Sequence, residues 1–120
     1  MTALYVFLGG GFGALTRFSI SWIFQRFEWG NFPWATFIAN LFASLIVGLT
    51  VAILRTKTAQ SEHLYALIII GFCGGLSTFS SFAKENLDLF EKGNYLIGIL
   101  NIALSIGVCI FAVWFGKRIV

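Results

Sequence analysis

The stretch at residues 71–82, GFCGGLSTFSSF, lies in the middle of the third long apolar run of the chain and contains three glycines. At that depth a lipid-facing chain is expected to be an unbroken helix. Each glycine costs a helix interior about 1 kcal/mol relative to alanine, and neighbouring hydroxyls offer the backbone alternatives to helical hydrogen bonds. Freed backbone groups at membrane depth are tolerated only within protein or beside a water-filled cavity. The stretch therefore predicts a helix that breaks near residues 74–78, in a polar interior.

Four long apolar runs make up most of the chain, which has 120 residues, 58% of them hydrophobic and only 11% charged. A soluble domain would carry charge on about a quarter of its residues, whereas each run is close to the roughly 20 residues that span a bilayer core. The sequence predicts an all-α membrane protein with a single four-helix transmembrane domain over residues 1–120. The expected helices are residues 3–24, 33–54, 62–91 and 95–116.

The basic residues that flank these runs are almost balanced between the two ends of the bundle. One end carries Arg55, Lys57, Lys117 and Arg118, and the other carries Arg26, Lys84 and Lys92. The positive-inside rule therefore favours cytoplasmic termini only slightly, and such a chain can insert both ways.

Its small size predicts an oligomer in a cell membrane. The net charge of +3 is ordinary for loops beside a bilayer, and no basic cluster suggests nucleic acid.

The first helix combines glycines with one charge. Gly9 and Gly13 form a face of small residues that lets another helix approach closely. Arg17 follows on the same face one turn later. Two interpretations stay open for it: a side chain that extends to the membrane interface, or a charge that faces a polar vestibule, because intramembrane charges rarely face lipid.

Polar residues also recur every four positions along the second helix, at Thr36, Asn40 and Ser44. A single buried asparagine is often an interhelical hydrogen-bond partner, but three polar residues in line favour a polar track. Asn40 is the best candidate ligand, because its amide can donate to an anion while its carbonyl serves a neighbour. The fourth helix carries a weaker polar stripe that includes Ser105.

Phe79 and Phe82 share a helix face just beyond the glycines, and Glu85 continues that face. Two phenylalanines in a chain with 14 of them are ordinarily core residues. Their position beside the expected break favours a functional role instead, because the positive edge of an aromatic ring can hold a small anion weakly. The sequence has no Ser/His/Asp set, metal-ligand cluster or phosphate-binding loop. The chain is therefore predicted not to be an enzyme.

Three motifs together resemble those of the CrcB/Fluc fluoride channels. The first is GGGFGALTR at residues 9–17, the second is the pair Thr36 and Asn40, four positions apart, and the third is GFCGGLSTFSSF at residues 71–82. The likeness extends over the whole chain, including its length and helix count, and the third motif is specific. The resemblance implies a fluoride-selective passive channel that exports cytoplasmic fluoride and so lowers its toxicity.

The resemblance also implies an assembly: a dual-topology homodimer, with two subunits inserted antiparallel and two fluoride pathways along their interface. The third helices would cross at the centre around a structural Na⁺ ion, which is not transported. By motif position, the backbone carbonyls of Gly74 and Ser77 would hold that ion. Some members are heterodimers of degenerate chains, but this chain keeps its asparagine and both phenylalanines, which favours the homodimer.

The family pattern further implies a role for each matching side chain. Phe79 and Phe82 match the aromatic pair that lines the fluoride route, and Asn40 matches the asparagine that donates to the anion. The remaining positions match a polar track (Ser80, Ser81 and Ser105) and the vestibules (Arg17 and Glu85). Ser77 replaces a commoner threonine and Ala35 a common glycine, and neither change removes a side chain that the mechanism needs.

Two other functions compete with this interpretation. A small dual-topology multidrug or cation exporter also has four helices, but it needs a carboxylate in its first helix, where this chain has only Arg17 as a charged residue. A purely structural membrane subunit assembled through glycine faces would leave the expected break and the polar tracks unexplained.

Overall fold

A computed structural model describes residues 2–26, 32–55 and 59–119, so that Lys57 lies outside the described residues. The regular structure in these ranges is helical. Helix α3 consists of three consecutive segments, the second of them π-helical. The helices are α1 (Thr2–Gln25), α2 (Trp34–Ile53), α3 (Ala59–Tyr65, Ala66–Cys73 and Gly74–Leu76), α4 (Phe79–Glu91) and α5 (Tyr95–Ile119).

Four helical spans within the described ranges are long and apolar enough to cross a membrane: α1, α2, α5 and the joined span Ser61–Glu91, which combines α3 and α4. The 20 residues of α2 extend about 30 Å, which matches the hydrocarbon thickness of a bilayer. Large apolar side chains lie on the outside of the bundle, as at Phe7 and Phe18. The predicted all-α class with four spans is confirmed.

The third span is interrupted between α3 and α4 without a large change of direction. Ser77 and Thr78 have extended backbone, with ψ angles of 150° and 125°. The joined span nevertheless bends by only 19°. Gly74, within the region where the sequence predicted a break, is helical, with φ −64° and ψ −35°. The broken third helix expected from the sequence is therefore not shown; the change is confined to two extended residues.

Helix α1 packs closely against α3 through two buried glycines. A Cβ atom added at Gly9 would collide with the backbone of α3 at Leu67 and Phe72, and one added at Gly13 would collide with Phe72 and Leu76. No side chain other than hydrogen fits between the two backbones at these positions. This contact fixes the depth of α3 relative to α1 and so the position of the extended residues that follow.

The described core lies where α2 meets α3. Ala39 and Ala43 of α2 pack with Cys73 and Leu76 of α3, and all four are almost fully buried. Their small side chains bring α2 close to the end of α3. Asn40, between the two alanines in sequence, is thereby held beside the residues that follow α3.

A tight turn returns the chain from α4 to α5. Gly93 has a φ of +83°, which favours glycine because other residues meet their own Cβ there. The Gly93 N–H donates to the Phe90 carbonyl, and the Asn94 N–H donates to the Leu89 carbonyl, in the pattern of a Schellman motif. The turn lays α5 antiparallel along α4, so that polar residues of the two helices can meet.

The close contact between α1 and α3 predicts different effects for two neighbouring glycines. We expect Gly13→Val to lower stability by about 1–3 kcal/mol, the usual cost of overpacking, because the new side chain would collide with α3. Gly11→Val is the matched control, since it makes the same change in helix propensity. A Cβ atom added at Gly11 would have no atom of another helix within 4 Å. Thermal unfolding in detergent measures both. Equal losses for the two variants would contradict the packing role of Gly13.

Candidate functional site

A hydrogen bond between α2 and the extended residues forms the centre of the candidate site. The Thr78 backbone N–H donates to Asn40 Oδ1 across 3.2 Å. Because a backbone N–H is only a donor, this bond fixes which way the Asn40 amide faces: its oxygen points to Thr78, and its Nδ2 points away. The side-chain amide thus offers two N–H donors on the side opposite to Thr78.

Two carbonyls where α3 ends, those of Gly74 and Ser77, lose their helical donors at the same point. In a continuous helix the Thr78 N–H would bond the Gly74 carbonyl, and the Ser81 N–H would bond the Ser77 carbonyl. Here the Thr78 N–H donates to Asn40, and the Ser81 N–H donates to Thr78 Oγ1 at 3.5 Å. Side-chain oxygens therefore take both donors, and the carbonyl oxygens of Gly74 and Ser77 become available to another ligand.

A cavity of about 440 Å³ lies beside this junction and opens on one side of the chain. Its lining is mostly apolar, with polar groups at a few positions. Six of the residues that the sequence singled out line it together, from three parts of the chain: Asn40, Ser44, Ser77, Phe79, Phe82 and Ser105. The combination of an apolar wall with a few hydrogen-bond donors is typical of a small-ligand site.

The two phenylalanines stand next to each other at this cavity. Their ring centroids are 5.9 Å apart and the rings are inclined by 45°, within the range of favourable aromatic pairs. Phe82 is partly buried, whereas 80% of the Phe79 surface is exposed in the single chain. Phe79 therefore lines the cavity while most of its ring surface stays accessible from outside the single chain.

A second cavity, of about 280 Å³, brings opposite charges together on the far side of Thr78, which lines both cavities. Arg17, Ser81 and Glu85 line it. The Thr36 hydroxyl donates to Glu85 Oε1. Arg17 Nε and Glu85 Oε2 are buried without a hydrogen-bond partner in the described part of the chain. Unpaired polar atoms beside a cavity of this size are typical of a space that water or an ion occupies.

The other predicted site residues lie apart from these cavities. Ser80 is exposed, lines neither cavity, and its hydroxyl lies 3.1 Å from that of Thr78. Gly74 lines neither cavity, and its only contribution is the backbone carbonyl described above. Gly9 and Gly13 serve the contact between α1 and α3.

Sequence reasoning missed three features of the site. The pairing of Thr36 with Glu85 joins residues 49 positions apart, and Thr78 both caps α4 and lines the two cavities. Asn86 of α4 was also missed. Its Oδ1 accepts a hydrogen bond from Nδ2 of Asn101, which lies in α5. A buried asparagine on each of two helices joined by a tight turn is a signal that could have indicated the last pairing.

A family model described as "CrcB-like protein, Camphor Resistance (CrcB)" matches residues 4–117. The chain belongs to the CrcB family. Proteins named "Fluoride-specific ion channel FluC" are similar to it over nearly their whole length. One from Flavobacterium psychrophilum is 36% identical over 115 residues, which cover 96% of this chain and 93% of that protein. One from Coxiella burnetii is 36% identical over 120 residues, 99% of this chain and 97% of that protein.

A further relative of the same name, from a Shewanella species, is 38% identical over 117 residues, 98% of this chain and 94% of that protein. CrcB membership confirms the family resemblance and the prediction that the chain is not an enzyme. Together with the four apolar spans, it also confirms a multi-pass membrane protein.

Proposed function

We propose that this CrcB protein is a fluoride-selective passive ion channel. The observation that carries the proposal is the cavity that Asn40 lines together with the Phe79–Phe82 pair. Three relatives that match nearly the whole chain are named fluoride-specific channels, which supports fluoride as the transported ion. The channel would release cytoplasmic fluoride and so lower its toxicity.

The chemistry of the cavity suits a small anion. The Asn40 Nδ2 group donates hydrogen bonds, and the ring edges of Phe79 and Phe82 carry partial positive charge. Neither supplies a full charge. Binding is therefore weak enough for release, which conduction requires. Of the predicted polar track, Ser105 lines this cavity and Ser81 lines the second cavity, whereas Ser80 is exposed and lines neither.

The second cavity serves as a vestibule in this proposal. The guanidinium of Arg17 attracts anions toward the pathway. Glu85 has one oxygen engaged by Thr36, and its second oxygen lies in the same cavity. We place both side chains at the entrance rather than at the narrow part of the route, because the narrow part must not hold the ion through full charges.

A second copy of the chain would complete the pathways. The open side of the cavity and the exposed ring of Phe79 support a partner subunit at this surface. The near balance of basic residues between the two ends supports insertion in both directions. An antiparallel homodimer in the cell membrane would then contain two pores, one at each copy of the cavity.

The two carbonyls where α3 ends would hold the structural Na⁺ ion of this proposal. A hard cation prefers oxygen ligands, and the carbonyls of Gly74 and Ser77 have lost their N–H donors to Asn40 and Thr78. In the proposed dimer the interrupted third spans of both subunits cross here, and each would contribute these carbonyls. The ion would neutralise backbone dipoles at the centre, and it would not be transported.

The proposed activity needs no energy-coupling site. Fluoride enters cells as its neutral acid, which crosses bilayers and ionises at cytoplasmic pH. The membrane potential then drives the anion outward through a selective pore, with about 2.3 kcal/mol for each charge per 100 mV. The competing function, a small multidrug exporter, needs an acidic residue in α1, and the only charged residue of α1 is Arg17.

The aromatic pair predicts a specific loss of conduction. We expect Phe79→Ile or Phe82→Ile to abolish or sharply reduce fluoride efflux from liposomes, because isoleucine keeps apolar bulk and removes the positive ring edge. Assembly should be preserved, as size-exclusion chromatography will report. Normal efflux through both variants would rule out an aromatic lining.

Two substitutions at Asn40 distinguish a structural role of this side chain from a role in conduction. Asn40→Asp keeps an oxygen that accepts the Thr78 N–H, but it replaces the Nδ2 donor with a negative charge. We expect it to retain more stability than Asn40→Ala, which leaves the Thr78 N–H unpaired at a cost of about 1–3 kcal/mol, and yet to conduct poorly. Thermal unfolding and fluoride efflux measure the two effects. Unchanged efflux through Asn40→Asp would remove Asn40 from the pathway.

A further inference from the structure

A buried chain of hydrogen bonds leads from α4 to the wall of the larger cavity. Asn101 Nδ2 donates to Asn86 Oδ1 across 2.7 Å, and the Ser105 hydroxyl donates to Asn101 Oδ1 across 3.1 Å. The three residues are only 6%, 1% and 5% exposed. Ser105 also lines the cavity that contains Asn40 and the phenylalanine pair. Buried polar groups of this kind are costly unless they are paired.

The bonds all point in one direction, away from the cavity. The proton of Ser105 is directed to Asn101, and the amide protons of Asn101 are directed to Asn86. A serine hydroxyl has one proton and two lone pairs. In this arrangement Ser105 therefore has only lone pairs left for the cavity, and lone pairs repel an anion.

The same residues can form the opposite arrangement with the same number of hydrogen bonds. If both amide groups turn over, Asn86 Nδ2 donates to Asn101 Oδ1, and Asn101 Nδ2 donates to Ser105 Oγ. Each asparagine amide has both a donor and an acceptor, so neither bond is lost. The Ser105 proton is then released from Asn101 and can donate into the cavity.

We propose that Asn86 and Asn101 form a reversible hydrogen-bond relay that sets whether Ser105 presents lone pairs or a proton to the cavity. The inference rests on the proposed function, in which the cavity holds fluoride. An anion in the cavity favours the reversed direction, because every donor in the chain then points toward the negative charge and the bonds polarise one another. Asn86 and Asn101 are positioning residues that act through Ser105.

The test compares two substitutions at Asn86. When its carboxyl is ionised, Asn86→Asp leaves an acceptor that cannot donate, so Asn101 stays turned toward residue 86 and Ser105 keeps donating to Asn101. Asn86→Leu removes the competing acceptor, so the Asn101 amide turns to Ser105. Fluoride efflux from liposomes over a series of potassium fluoride concentrations gives a half-saturating concentration and a maximal rate. We expect Asn86→Asp to raise the half-saturating concentration about tenfold, the lower end for a lost hydrogen bond to an ion, and Asn86→Leu not to raise it.

The Ser105→Ala background separates the relay from the added charge. In that background the relay has no proton to present, so Asn86→Asp should raise the half-saturating concentration by less than about threefold, through long-range repulsion alone. Asn94→Asp, the same change at the turn between α4 and α5, is the matched control and should alter neither constant. An effect of Asn86→Asp that is equal with and without Ser105, or no effect at all, would overturn the relay.

A measurement on the wild-type protein covers the case in which Asn86→Asp does not fold. The side-chain amide resonances of Asn86 and Asn101 in nitrogen-15 spectra should shift in potassium fluoride and not in potassium chloride, and the shift should vanish in Ser105→Ala. Unshifted resonances beside normal fluoride efflux would overturn the relay alone. Liposomes with wild-type protein that release no fluoride would overturn the proposed function, and the relay with it.

Discussion

Backbone groups within a membrane must find hydrogen-bond partners in the protein, because lipid offers none. The Ser77 N–H still donates to the Cys73 carbonyl, but the helical hydrogen bonds stop at Thr78. The bond from the Thr78 N–H to Asn40 Oδ1 compensates for part of that loss. This bond also fixes the orientation of the Asn40 amide, which lines the cavity, and takes the N–H that would otherwise bond the Gly74 carbonyl. One interaction thus connects the interruption of the third span, the candidate anion donor and the candidate cation ligands.

The packing of the helices positions this interaction. Gly9 and Gly13 let α1 approach the backbone of α3, while small residues such as Ala39 let α2 approach its end. With both neighbours this close, α3 has little freedom to slide, and Asn40 reaches the Thr78 N–H. The π-helical segment Ala66–Cys73 ends one residue before Gly74, and such segments are frequent at functional sites. Fold and site therefore depend on the same close contacts.

The sequence predicted the parts of the structure that follow from local composition. Apolar runs of membrane length indicated four spans, because hydrocarbon thickness sets helix length. The glycine-rich stretch predicted a broken third helix, which the structure does not show, because the joined span bends by only 19°. Pairings between distant residues, such as Thr36 with Glu85, depend on how helices rotate against one another. Hydrophobic runs do not determine that rotation.

The most direct test of the account is fluoride efflux from liposomes that contain the purified protein. A fluoride electrode follows release under a potassium gradient with valinomycin, and matched liposomes loaded with chloride measure selectivity. We predict rapid fluoride release without chloride release, as the proposed fluoride-selective channel requires. Release of both ions at similar rates, or of neither ion from a folded dimer, would contradict a fluoride-selective channel formed by this chain.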